Sequence, residues 1–134
     1  MTETAVSVLL AEDDPDIRAI TCIALEQVAG MAVTACADGA GILEAFAAAV
    51  PDVVVLDVMM PGMDGPDVLA ALRDLPGGES VPVLFMTARV RPEDVARYRA
   101  LGAAGVIAKP FDPMTLGDEI RRLAGLLGEA VHGH

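Results

Sequence analysis

Four points in the sequence place a charged or reactive side chain directly after an apolar run. Glu12 and Asp13 follow Leu9-Leu10-Ala11, Asp57 follows Val53-Val54-Val55-Leu56, Thr87 follows Leu84-Phe85-Met86, and Lys109 follows Val106-Ile107-Ala108. Asp57 raises the sharpest question, because an ionised carboxylate at the end of a buried run is costly unless a partner offsets its charge. Lys109 is the only lysine, the other bases being arginine. Its ammonium is a compact point charge that can follow an anion or pair with a carboxylate. If the three carboxylates share a pocket about 5 Å across, at an effective dielectric of about 20, each pair repels by roughly 3 kcal/mol. A divalent cation relieves that repulsion, and oxygen donors with water suit Mg2+ better than zinc or copper. Cys and His form no rival cluster. Cys22 and Cys36 read as reduced packing residues, and His132 and His134 lie in a Gly-containing tail.

Whether these residues meet depends on the elements that carry them. Strands are expected at Val6–Ala11, Met31–Ala35, Val53–Asp57, Val81–Met86 and Val106–Ala108. Helical patterns alternate with them at Pro15–Val28, Ala40–Ala49, Pro66–Leu75, Pro92–Leu101 and Pro113–Leu127. Asp14, Asp64 and Asp112 are placed to cap helices, and Gly30 and Gly102 to end them. Near-continuous apolar strands alternating with helices predict an α/β fold, an open doubly wound parallel sheet covered on both faces. Such sheets present ligands beyond the carboxyl ends of their strands. Glu12, Asp13, Asp57, Thr87 and Lys109 should therefore converge on one edge. Asp14, just before Pro15, belongs to the helix cap instead.

A chain of 134 residues can bury one real core and is too short for two. With 54% hydrophobic and only 3% aromatic residues, that core must come from Ala, Val, Leu and Ile. No apolar run approaches a membrane span, and the N-terminus lacks the basic start of a signal peptide. A cytoplasmic protein with no membrane partner is expected. The net charge of −11 is unevenly placed: residues 1–80 hold most of the acids beside only Arg18 and Arg73, while the other bases lie between Arg89 and Arg122. The acidic part is a poor surface for phosphates, so direct nucleic-acid binding is not expected. The distribution suits a cation-attracting end and a separate mixed-charge face for a protein partner.

Taken in order, "LLAEDD", "VVLDVMMPGMDG", "FMTA" and "GAAGVIAKPFDP" resemble the motifs of a response-regulator receiver domain of bacterial two-component signalling. The resemblance covers about residues 5–128, leaving 129–134 as a C-terminal tail expected to be disordered. It implies a CheY-like, flavodoxin-like sheet of five parallel strands in the order 2-1-3-4-5 with five helices, as a single domain. It further implies that Asp57 is a phosphoacceptor, loaded by a histidine kinase or histidine phosphotransfer protein in a Mg2+-dependent reaction. Glu12, Asp13, Asp57 and the backbone carbonyl of Met59 would hold the metal. Thr87 would turn toward the phosphoryl group, and Ala88 would leave room for it. Lys109, aimed inward by a cis bond to Pro110, would pair with Asp57 and then with the phosphate. These residue types suit phosphoryl transfer, which needs positioning and charge neutralisation more than covalent help.

On this reading the chain is a regulatory phosphoacceptor rather than an enzyme, catalysing only its own phosphorylation and dephosphorylation. Its signal would pass to a downstream target protein through helix four, strand five and helix five. The initial Met and the lack of a linker predict a complete protein. A receiver fragment of a larger regulator or hybrid kinase, or a phosphorylation-independent interaction module with a receiver fold, is the alternative. An aspartyl-phosphate phosphatase would need a second acid two residues after the nucleophile, where Met59 stands. A flavin-binding module would need a phosphate loop where "AEDDPD" would repel phosphate. Two departures from the family stand out. Val106 occupies a position that is often aromatic, with Tyr98 read as a partly exposed helix residue. Gly105 and its neighbouring alanines replace the acidic pair of one phosphorylation-driven dimer, which is therefore not expected.

Overall fold

The computed structural model describes residues 5–126. Strands β1 (Ser7–Ala11), β2 (Ala32–Cys36), β3 (Val53–Asp57), β4 (Val83–Thr87) and β5 (Gly105–Ala108) form one parallel sheet in the order β2-β1-β3-β4-β5. Helices α1 (Pro15–Ile23), α2 (Gly39–Ala48), α3 (Gly65–Arg73), α4 (Pro92–Ala100) and α5 (Leu116–Leu123) alternate with them. Successive strand side chains point to opposite faces, so each apolar strand feeds two cores. Leu9, Val54, Leu56 and Phe85 pack with Ile42, Phe46 and Leu69 on one face. Leu10, Val55, Leu84 and Ile107 pack with Leu25, Leu116 and Ile120 on the other. Val53 to Leu56 are wholly buried, and each such side chain contributes about 1.5–3 kcal/mol. That two-sided burial is why β3 carries no polar residue before Asp57.

The register brings the strand ends level. Ala11 lies opposite Leu56, Asp57 opposite Met86, and Thr87 opposite Ala108. The winding reverses between β1 and β3, which opens a crevice beyond those ends.

Local chemistry explains where the elements start. Asp14 accepts the N–H groups of Asp16 and Ile17 at the start of α1. Asp64 and Asp67 form a reciprocal capping box on α3. Asp38 caps α2 through the N–H of Gly41 at 2.8 Å, a role the sequence pattern does not single out. Asp112 caps an intervening turn instead of a helix, accepting the N–H of Met114 at 2.9 Å, so α5 begins only at Leu116. β4 begins at Val83 because Pro82 has no N–H to give the ladder; its carbonyl still accepts from Val54 at 3.0 Å. The pattern expected to run helical to Val28 is α-helical to Ile23 and then π-helical over Ala24–Val28. The same apolar residues can be read in either winding. Gly30 and Gly102 adopt positive φ at the ends of their helical segments, as expected. The expected end of helix five at Leu127 and the tail 129–134 lie outside the described residues.

The start of α5 packs closely on the chain leaving the π-helical turn. A Cβ on Gly117 would overlap that of Ala29, whose carbonyl also accepts a hydrogen bond from Arg121 at 3.0 Å. Overpacking costs about 1–3 kcal/mol. Alanine's helix preference over glycine offsets about 1 kcal/mol of that. Gly117→Ala should therefore lower stability by about 1 kcal/mol net in urea unfolding, whereas an open site would show a gain of the same size.

Candidate functional site

The crevice gathers side chains from β1, β3 and β5. Asp57, at the end of the buried central strand, is only 6% exposed. Its Oδ1 accepts from the Nζ of Lys109 at 3.1 Å and from the backbone N–H of Met59 at 3.3 Å. Glu12 is still more buried. Its Oε1 accepts from the same Lys109 Nζ at 2.8 Å, and its Oε2 from the N–H of Asp14 at 3.2 Å. One ammonium thus bridges two carboxylates. Asp13 is exposed, yet its carboxylate reaches the group: the ligand oxygens of Glu12, Asp13 and Asp57 lie within 4.8 Å of one another. The peptide bond from Lys109 to Pro110 is cis.

Burial pushes the carboxyl of Glu12 above its ordinary range, and the nearby Asp57 charge adds to the push. Lys109 and the Asp14 N–H oppose it without reversing it. Burial would lower the ammonium of Lys109, but its hydrogen bonds to Glu12 and Asp57 and their charges outweigh that and raise it. Lys109 is therefore held protonated, and the site is an acidic pocket with one fixed internal cation.

Thr87 is buried at the end of β4, and its Oγ1 accepts the N–H of Arg89 at 3.0 Å. Its carbonyl accepts the N–H of Lys109 at 2.9 Å, tying the ends of β4 and β5 together. Among the described residues, no hydrogen bond joins its hydroxyl to Glu12, Asp13 or Asp57. Met59 exposes 75% of its surface, so its side chain takes no part in the pocket. Tyr98 is not partly exposed but buried, at 4%. Its ring meets Phe85 edge-on with centroids 5.3 Å apart, and Arg97 lies over it at 4.9 Å. Val106, opposite Phe85 in the sheet, packs against the same core cluster. The sequence pattern also misses Arg18, which enters it only as a charge. From α1 it donates to the carbonyl of Glu12 at 2.8 Å and to that of Asp13 at 3.5 Å. Its isolation among acidic residues is the one signal the sequence offers.

Alongside the acidic pocket runs an apolar groove of about 530 Å³ lined by Ile17, Ile20, Ala88, Pro110, Phe111 and Pro113, with Lys109 at its edge. Among the described residues, no helix is long and apolar enough to cross a membrane.

Comparison with known proteins points the same way as this geometry. The model of the family described as "Response regulator receiver domain" matches residues 8–121. The transcriptional regulatory protein CseB of Streptomyces coelicolor is 42% identical over 126 residues, covering 94% of this chain and 52% of that protein. The chain thus spans about half the length of such curated relatives. Chemotaxis protein CheY4 of Vibrio cholerae superposes with a TM-score of 0.83 at 33% identity, covering 90% of this chain and 99% of that one. The receiver domain of sensor histidine kinase PA1611 from Pseudomonas aeruginosa, solved with a magnesium ion coordinated in its active-site cleft, gives 0.80 at 26% identity, covering 91% and 99%.

Proposed function

The chain belongs to the response regulator receiver domain family of two-component systems, and on that footing we propose that it is a phosphorylation switch with Asp57 as phosphoacceptor. The observation that carries this reading is the buried strand-end carboxylate of Asp57, held by Lys109 inside a cluster of acidic oxygens.

Three carboxylates within 4.8 Å, one of them exposed to solvent, fit a hard divalent cation. The magnesium ion in the PA1611 receiver supports the same choice. Glu12, Asp13, Asp57 and the backbone carbonyl of Met59 would hold Mg2+, which when bound supplies positive charge to the oxygens of the group in transfer. An oxygen of Asp57 attacks the donor's phosphorus. As that P–O bond forms, the P–N bond of a phosphohistidine breaks, and the leaving imidazole keeps the electron pair and takes up a proton. Lys109, already bonded to Asp57, then bonds to the phosphoryl oxygens. Thr87 accepts from Arg89 through a lone pair, so its O–H remains available to donate to the same oxygens. Ala88 leaves them room.

The donor, a histidine kinase or phosphotransfer protein in the cytoplasm, docks in the apolar groove beside Lys109. The added charge draws in Thr87 and with it the loop leading to α4. Phe85 and Thr87 share a strand face, so the edge-on Phe85–Tyr98 contact offers a path into α4. A downstream target protein would read the change on the α4–β5–α5 face.

Incubation with Mg2+ and a small acyl phosphate, followed by intact mass measurement, tests the reading. The chain should gain one phosphoryl group, and a chelator should abolish the gain. No gain in Mg2+ would leave a receiver fold used as an interaction module without chemistry.

A further inference from the structure

Residues 1–80 contain two arginines, and neither pairs with a carboxylate among the described residues. Both bind backbone carbonyls. Arg73, at the far end of the sheet, donates to Gly78 and Val81 at 2.8 Å and to Gly102 at 3.0 Å, tying two loops together. Arg18 does the equivalent for the acidic turn, on the carbonyls of the two residues whose carboxylates face Asp57. We propose that Arg18 is a positioning residue of the metal site, holding the Glu12–Asp13 backbone so that both carboxylates stay aimed into the crevice.

The acidic turn is held from several sides. Glu12 is tied at every polar group: its N–H to Cys36, its carboxylate to Lys109 and Asp14, and its carbonyl to Arg18. Asp13 has an exposed carboxylate, so its aim depends on the backbone that carries it. Arg18 can hold that backbone because it is itself fixed. Its N–H bonds to the carbonyl of Asp14, and the Asp14 carboxylate caps the same helix. The turn is bracketed between a capped helix and a guanidinium reaching back from it.

Three roles predict three different signs. A guanidinium acting only through its charge repels a cation, so removing it would tighten Mg2+ binding. One acting only on overall stability would leave the affinity of the folded protein unchanged. A positioning residue predicts weaker binding, by about tenfold for a group that orients metal ligands.

The proposal rests on the reading that Glu12, Asp13 and Asp57 hold Mg2+. Calorimetric titration with MgCl2 of the full chain, Arg18→Ala and Arg18→Lys should be run where thermal melts show all three folded. Arg18→Ala should bind about tenfold more weakly, and Arg18→Lys, which keeps a donor and a charge, should recover part of the loss. Unchanged or tighter binding by Arg18→Ala, or no recovery by Arg18→Lys, overturns the positioning role and leaves the metal reading standing. No Mg2+ binding by the unaltered chain overturns both. Should Arg18→Ala fail to fold, Arg18→Gln replaces it; severalfold weaker binding is expected, and equal or tighter binding overturns the proposal.

Discussion

Asp57→Asn should gain no phosphoryl mass under conditions in which the unaltered chain gains one, and in Mg2+-free buffer it should be more stable than the unaltered chain. The first half follows from chemistry: an amide keeps the shape of the carboxylate and loses the nucleophile. The second half is decided by counting charges. Asp57 repels Glu12 and Asp13, whose ligand oxygens lie within 4.8 Å, and attracts Lys109 at 3.1 Å. At an effective dielectric of about 20 these terms are each roughly 3–5 kcal/mol before relaxation, two against one, and the burial cost of the charge adds to the unfavourable side. After screening by solvent in the open crevice, a net gain of about 1 kcal/mol is expected, seen as a melting point higher by about 4 °C. The rise on adding Mg2+ should shrink in the variant, because one donor has lost its charge. A gain of phosphoryl mass by Asp57→Asn would place the acceptor elsewhere, and a lower melting point would mean that the Lys109 attraction dominates.

Lys109→Met should move stability in the opposite direction. Here the shared cation leaves and three carboxylates stay. Removing one partner of a buried pair costs about 3–5 kcal/mol when solvent is excluded. The Lys109 side chain retains 18% of its exposure, and Asp13 faces water, so about 2 kcal/mol is the expected loss in Mg2+-free buffer. Millimolar Mg2+ should restore much of it, since the metal supplies the missing charge and binds only the folded state. Phosphoryl uptake should slow by roughly tenfold or more, because a donor to the transferring oxygens has gone. Urea unfolding with and without Mg2+ reads the first effect, and the rate of mass gain reads the second. Equal stability of variant and unaltered chain without Mg2+ would mean that the bridging ammonium contributes nothing net. Together the two variants form a signed pair: losing the acid stabilises, losing the base destabilises, and Mg2+ narrows the difference.

The convergence of Glu12, Asp13, Asp57 and Lys109 is legible in the residues alone because strand and helix patterns alternate regularly. A parallel sheet has no choice but to place the C-terminal ends of its strands on one edge. Each apolar run therefore marks the residue that follows it as a site candidate. The strand order 2-1-3-4-5 is a different matter. Periodicity sets which segments are strands and leaves the choice of neighbours open, so the order is legible only through the resemblance of the motifs.

How the charges are distributed is settled by packing. Nothing local distinguishes Glu12 from Asp13, yet one is buried and bonded to Lys109 while the other faces solvent. Adjacent residues leaving a strand point in opposite directions, and only the packed neighbours say which direction is the interior. Tyr98 defeats a sequence reading for a related reason. α4 has a polar sequence, and the one ring in it is buried because it packs edge-on against Phe85 of β4, a contact that forms only once α4 lies against the sheet. Arg18 shows the same limit, since its hydrogen bonds go to backbone carbonyls and a carbonyl has no letter in the sequence. Residue type and period suffice for the number and order of the elements, most of the core and the residue types of the pocket. Which carboxylate shares the lysine, which stays wet and what holds the turn between them depend on distances between backbones, and those exist only once the chain is folded.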